Sequence, residues 1–146
     1  MNNRVTKTII VFALASVFST LHSAGGVNKS LSKDTAKVFI ISPKDKETVE
    51  NPITVIFGIE DMEIVPAGEN KKYSGHHHLL IDVENLPDLS KPIPSDKNHM
   101  HFGKGQTNTL INLTKGEHTL QLLVGDYIHV PHDIPIYSEK ITITVR

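Results

Sequence analysis

From residue 37 onward the apolar residues of this chain recur with a period of two, in short runs ended by proline or glycine. Successive side chains on a strand point to opposite faces, whereas an amphipathic helix needs apolar residues three and four apart. "ITVIFGIE" sets Val55, Phe57 and Ile59 against Thr54, Ile56 and Gly58. "HHHLLIDV" sets His77, Leu79, Ile81 and Val83 against His76, His78, Leu80 and Asp82. "KITITV" near the C-terminus alternates Ile141, Ile143 and Val145 with threonines. β-branched residues dominate these runs and suit a pleated surface. No stretch carries a competing helical period, so the expected fold class is all-β.

Six runs, at 37–41, 53–59, 76–83, 107–113, 117–125 and 137–145, fit strands A, B, C, E, F and G of an immunoglobulin-like antiparallel β-sandwich. "SPKDKETVENPITVIFG" resembles the opening of many bacterial immunoglobulin-like domains, and "LTKGEHTLQLLVGD" resembles their E–F hairpin. Three connections are long, at 60–75, 84–106 and 126–136. The middle one is rich in Pro, Asp and Ser and is expected to be irregular. Loops beyond about 12–15 residues tend to carry function, so one end of the sandwich is expected to be elaborated.

The first 24 residues differ from the rest. "MNNRVTK" is basic with no acid, "TIIVFALASVFSTL" is uncharged and mostly apolar, and "HSAGG" is small. That order describes a secretory signal peptide, with cleavage expected near residues 23–24. The apolar run is shorter than the roughly 20 residues of a spanning helix, so no membrane span is expected after cleavage. Residues 25–36 read as a flexible lead-in and residues 37–146 as one domain. The expected location is the periplasm of a bacterium or its surroundings.

Of the 15 basic residues the leader holds Arg4 and Lys7, and it holds none of the 16 acidic ones, which leaves a net charge of −3. That balance, with no basic stripe, argues against nucleic acid as a partner. The chain has no cysteine, which excludes disulfides, thiolate metal ligands and cysteine nucleophiles. "FGKGQT" lacks P-loop spacing, and no GxSxG or HExxH occurs. No general base or substrate pocket is identifiable, and an enzyme is the least favoured reading.

Eight histidines lie beyond the leader: His76, His77, His78, His99, His101, His118, His129 and His132. In the sandwich topology, strand C starts at the B–C end, the 84–106 connection must return there, and strand F finishes there. Seven of the eight therefore collect at one end, and His118 is left at the other. His76 and His78 are spaced i, i+2 and share a face of their strand; His99 and His101 repeat the spacing; His129 and His132 flank a proline turn. These six are the candidate metal ligands. Imidazole without thiolate suits a divalent transition metal, copper or zinc foremost.

His77, Asp82, Asp96, Met100 and Asp126 are candidate weaker ligands or partners that orient the ligating rings. His77 shares its face with Leu79 and Ile81, which favours a hydrogen-bonded place at the core edge. An ion-free histidine–aspartate network and a pH-sensing cluster account for the same pattern.

"GHHHLLID", "PIPSDKNHMHFGKGQT", "GEHTLQLLVGD" and "HVPHDIPIYSEKITITV" together resemble a family of small exported bacterial proteins catalogued only as a domain of unknown function. The resemblance covers roughly residues 55–146 and implies export and a β-rich fold, without an activity. Two functional readings follow. One is a periplasmic metal-binding module whose partner is the ion. The other is an envelope domain that binds a protein or glycan, its histidines forming a structural or pH-sensing network.

Overall fold

The computed structural model describes residues 28–146; the expected leader and residues 25–27 lie outside the described residues. Among the described residues there are nine strands and no helix: β1 (Lys37–Ser42), β2 (Thr48–Val49), β3 (Ile53–Glu60), β4 (Glu63–Ile64), β5 (Ser74–Ile81), β6 (His99–His101), β7 (Asn108–Ile111), β8 (Gly116–Gly125) and β9 (Ile141–Val145). No helix of these residues is long and apolar enough to cross a membrane. The fold is all-β.

Two sheets form a sandwich. The smaller runs β1-β3-β7 and the larger β2-β9-β8-β5-β4, with β6 also paired to β5. The expected strands A, B and E correspond to β1, β3 and β7, and C, F and G to β5, β8 and β9. The period-two residues meet between the sheets: Val38, Ile53, Val55, Phe57 and Ile111 face Leu79, Ile81, Leu120, Leu122, Val124, Ile143 and Val145. Burying each such side chain contributes about 1.5–3 kcal/mol, and their contiguity makes this the principal core.

Boundaries differ from the sequence pattern where side chains intercept the ladder. The third long strand starts at Ser74 and stops at Ile81, because Asp82 takes a positive φ of 56°. Its carboxylate accepts from the Thr119 amide at 2.9 Å and pairs with His118 Nδ1 at 2.7 Å. Regular pairing of the last strand begins at Ile141 rather than at 137, since Ser138 turns its hydroxyl onto the Leu122 amide at 2.9 Å.

The 84–106 connection is not irregular throughout. "HMH" forms β6 and pairs antiparallel with β5, with His101 opposite His78, Met100 opposite Leu79 and His99 opposite Leu80. The chain thus climbs back toward the B–C end as a strand lying against β5. The lead-in is held from Ser30 onward, through Asp133 N to Ser30 O (2.9 Å) and Ser32 N to Asp133 O (3.0 Å).

Candidate metal centre

All eight residues of β5 are buried. One face belongs to the principal core. The other carries His76, His78 and Leu80, and a small second core of Leu80, Ile93 and Leu123 covers part of it, with Val83, Leu86 and Leu89 packed alongside. The histidines of the candidate centre therefore sit on the outer face of the larger sheet, beneath two loops.

His76 and His78 project together because they are two apart on one strand. Their ring centroids are 4.9 Å apart. His101 reaches the same face by cross-strand pairing with His78; its centroid lies 5.1 Å from that of His78 and 4.9 Å from that of His76. His129 closes the group from the connection after β8, at 4.9 Å from His76, 4.7 Å from His101 and 6.1 Å from His78. One ring nitrogen from each of His76, His78 and His101 lies within 4.8 Å of the others. Nitrogens sharing a tetrahedral ion at 2.0–2.1 Å are about 3.4 Å apart, so a shared ion asks for a contraction of at most about 1.4 Å.

Two glycines make room for the rings. A Cβ on Gly125 would stand 2.8 Å from His78 Cε1, and one on Gly103 would stand 2.6 Å from His101 Nε2. The carbonyl of His129 accepts from the Ile93 amide at 2.8 Å, and its own amide donates to Asp126 O at 2.8 Å. His129 has φ 70°, in the left-handed region where histidine is among the better-tolerated non-glycine residues.

The rings' environment is unusual. His76 is fully buried, and neither of its ring nitrogens has a hydrogen-bond partner; His78 Nδ1 is likewise without one. An unmet buried polar group costs about 1–3 kcal/mol, so such atoms call for an explanation. Burial, followed by His129 and His101, lowers the pKa of His76 to about 4, with Asp126 acting in the opposite direction. Burial first, then its histidine neighbours, lowers that of His78 to about 2. His101, on the exposed rim, is also lowered, by burial and then by His129. At neutral pH His76, His78 and His101 therefore present unprotonated imidazoles, the form that coordinates metals.

The other expected site residues lie elsewhere. His99 is turned to Asp96, Nδ1 to Oδ1 at 2.9 Å, and Asp96 also accepts from the Asn98 and His99 amides. β6 runs antiparallel to β5, so His99 sits nearer the opposite end from His76 and outside the ring group. His132 crosses to the other face: its Cε1 would meet a Cβ on Gly75, and its Nε2 pairs with the Ser74 carbonyl at 2.9 Å. The proline turn thus directs His129 and His132 to opposite sides of the sheet.

His77 faces the principal core, 5.1 Å from the Phe57 ring, with Nδ1 3.1 Å from Gln106 O. Met100 packs into the same core, and Met62 does so too, which removes thioether ligands from the centre. Asp82 is engaged with His118 at the far end. Asp126 is fully buried beside the centre, with its carboxylate taken up by Ile128 N, Val130 N and Ser30 Oγ at 3.0, 2.9 and 2.8 Å. Gly103, Gly125 and Ser30 were not singled out by sequence reasoning; glycine beside a histidine pair was the one available signal.

No curated protein and no solved structure matches this chain. A family model matches residues 55–146, a span that includes all four clustered histidines, both glycines and Asp126. The chain belongs to the family described as Domain of unknown function (DUF4399).

Proposed function

We propose that this domain is an exported metal-binding module that holds a copper or zinc ion on His76, His78 and His101, with His129 as a fourth imidazole. The observation that carries the reading is His76, fully buried among three other imidazoles with both ring nitrogens unpartnered. A cation shared by these rings would use the lone pairs that nothing in the protein uses. An all-imidazole donor set without sulfur suits zinc or copper(II). The exposed position of His101 gives the ion a route from solvent. Export rests on the charged, apolar and small order of residues 1–24; the mass of protein recovered from a periplasmic fraction tests it.

Calorimetric titration of the purified protein with zinc and copper(II) tests the metal reading. One ion per chain is expected, with binding lost in His76→Ala and His101→Ala. Affinity no tighter than millimolar for either ion would end it.

A second reading, docking to an envelope partner, draws on the outer face of the smaller sheet. Phe39, Ile41, Ile56 and Leu110 stand exposed there, Leu110 at 63%. Exposed apolar patches of this kind mark interaction surfaces. This reading predicts a captured partner that survives chelator and is lost in Leu110→Lys.

A further inference from the structure

Asp126 is a fully buried carboxylate. Its Oδ1 accepts from the Ile128 amide at 3.0 Å and the Val130 amide at 2.9 Å, and its Oδ2 from Ser30 Oγ at 2.8 Å. All three donors are neutral, and among the described residues no lysine, arginine or histidine forms an ion pair with it. Burying an ionised carboxylate is costly unless a countercharge lies close.

The surroundings indicate where that countercharge belongs. Gly125 is the register partner of His76, so Asp126 is the next residue beyond the pair. The same carboxylate closes the 126–130 loop through two amides, and that loop presents His129 to the other rings. A buried anion with neutral hydrogen-bond partners thus adjoins neutral imidazoles whose nitrogens lack partners.

Resting on the reading of this cluster as a metal centre, we propose that Asp126 is its charge-balancing and positioning residue: it does not ligate the ion, but supplies the buried negative charge that the ion meets and fixes the loop that delivers His129. Four neutral imidazoles leave the whole charge of a bound cation uncompensated. Asp126 offsets one unit of it, so its contribution to binding scales with the charge of the ion. The residue then favours a divalent over a monovalent ion, beyond what the imidazoles alone would select.

The test compares zinc(II) with silver(I), a redox-inert monovalent ion that imidazole also accepts, in the wild type and in Asp126→Asn. Asparagine keeps an acceptor for the two amides and removes the charge. Partners that orient metal ligands are commonly worth 10–100-fold in affinity. Zinc affinity is expected to fall by about that factor. Because the Coulomb energy is linear in ionic charge, silver affinity is expected to fall by only about the square root, roughly 3–10-fold.

Ser30→Lys provides a second route, since a lysine there would pair with Asp126 from the surface segment and leave the loop's amides untouched. It should reproduce the same unequal loss, and it serves if the asparagine variant does not fold. Equal losses for the two ions, or no loss in either variant, overturn the proposal while leaving the metal reading standing. Absence of zinc binding in the wild type instead removes the reading on which the proposal rests.

Discussion

Replacing His76 with leucine should stabilise the metal-free protein while abolishing metal binding. The ring is fully buried and both of its nitrogens lack partners. In the unfolded chain both are hydrated, so folding forfeits two hydrogen bonds at about 1–3 kcal/mol each. Leucine is of similar volume and carries no polar atom. Its branched shape fits the space left by a planar ring imperfectly, and that mismatch costs up to about 1.5 kcal/mol. Two bonds at the middle of the first range total about 4 kcal/mol, and subtracting the mismatch leaves roughly 2.5 kcal/mol of stabilisation. For a domain of this size that raises Tm by roughly 10 °C, at about 4 °C per kcal/mol.

Most core substitutions act in the opposite direction, by about 1 kcal/mol. The assay is thermal unfolding followed by circular dichroism at pH 7.5, with chelator and then with zinc. The wild type should gain about 2.7 kcal/mol at a zinc concentration one hundred times Kd, and His76→Leu should gain nothing. A Tm for His76→Leu below the wild type in chelator would refute the reasoning, because it would mean that the ring nitrogens are paired in the folded protein.

The two glycines should separate stability from binding. Gly125→Ala drives a methyl against His78, Ile93 and the His129 backbone, and should cost about 1–3 kcal/mol in urea unfolding as well as weakening zinc. Gly103→Ala meets only the exposed His101 ring and Ala67, so stability should stay within about 0.5 kcal/mol while zinc affinity drops in calorimetry. His99→Ala should bind zinc like the wild type, since its ring is engaged with Asp96 outside the cluster, whereas His101→Ala should not.

Acid should destabilise the metal-free protein. Burial lowers His77 from 6.5 to about 4, so the unfolded state binds the proton first and stability falls as pH drops from 6.5 to 4, by on the order of 3 kcal/mol for this group. His118 runs the other way. Burial opposes its charge, but the Asp82 carboxylate and the Thr114 carbonyl together hold its pKa above the usual value. Its stabilisation is complete below 6.5 and disappears as pH rises through the raised value. His118→Gln should therefore change urea midpoints at pH 5.5 more than at pH 8.5.

The alternation in "HHHLLIDV" was sufficient to send His77 inward with Leu79 and Ile81 and to send His76 and His78 to the other face, because strand periodicity is local and leaves no third option. The place of His101 was harder to read. Loop return alone brings "HMH" somewhere near the B–C end, but which of its two histidines meets His78 depends on register. That register is set by Met100 packing into the core beside its partner Leu79, a contact between residues twenty-one positions apart.

His132 was illegible for a related reason. A turn such as "HVPH" can deliver its histidines to one face or to two, and the outcome follows from the Ser74 carbonyl that captures His132. Asp126 stood out only as an acid near histidines. Its three hydrogen bonds come from residues two and four ahead and from Ser30, ninety-six positions away, and only the folded chain brings that hydroxyl to it.

The centre is thus assembled from two kinds of structure. His76, His78 and His101 are fixed by the ladder between β5 and β6, and their spacing follows from strand geometry and register. His129 is fixed by a loop that the Asp126 carboxylate closes through two amides and that backbone bonds to Ile93 and within the turn also hold. Moving a ladder residue means breaking strand pairing, whereas moving His129 means relaxing a five-residue turn and its single backbone bond to Ile93.

The contraction that an ion requires can therefore come from ring rotations on the strands together with a small shift of the loop. The principal core lies on the opposite face of β5 and need not take part. His77, alternating between His76 and His78, packs against Phe57 on the core face. A period of two lets one strand serve packing on one face and chemistry on the other, and for that reason three consecutive histidines can be tolerated in the middle of a sandwich.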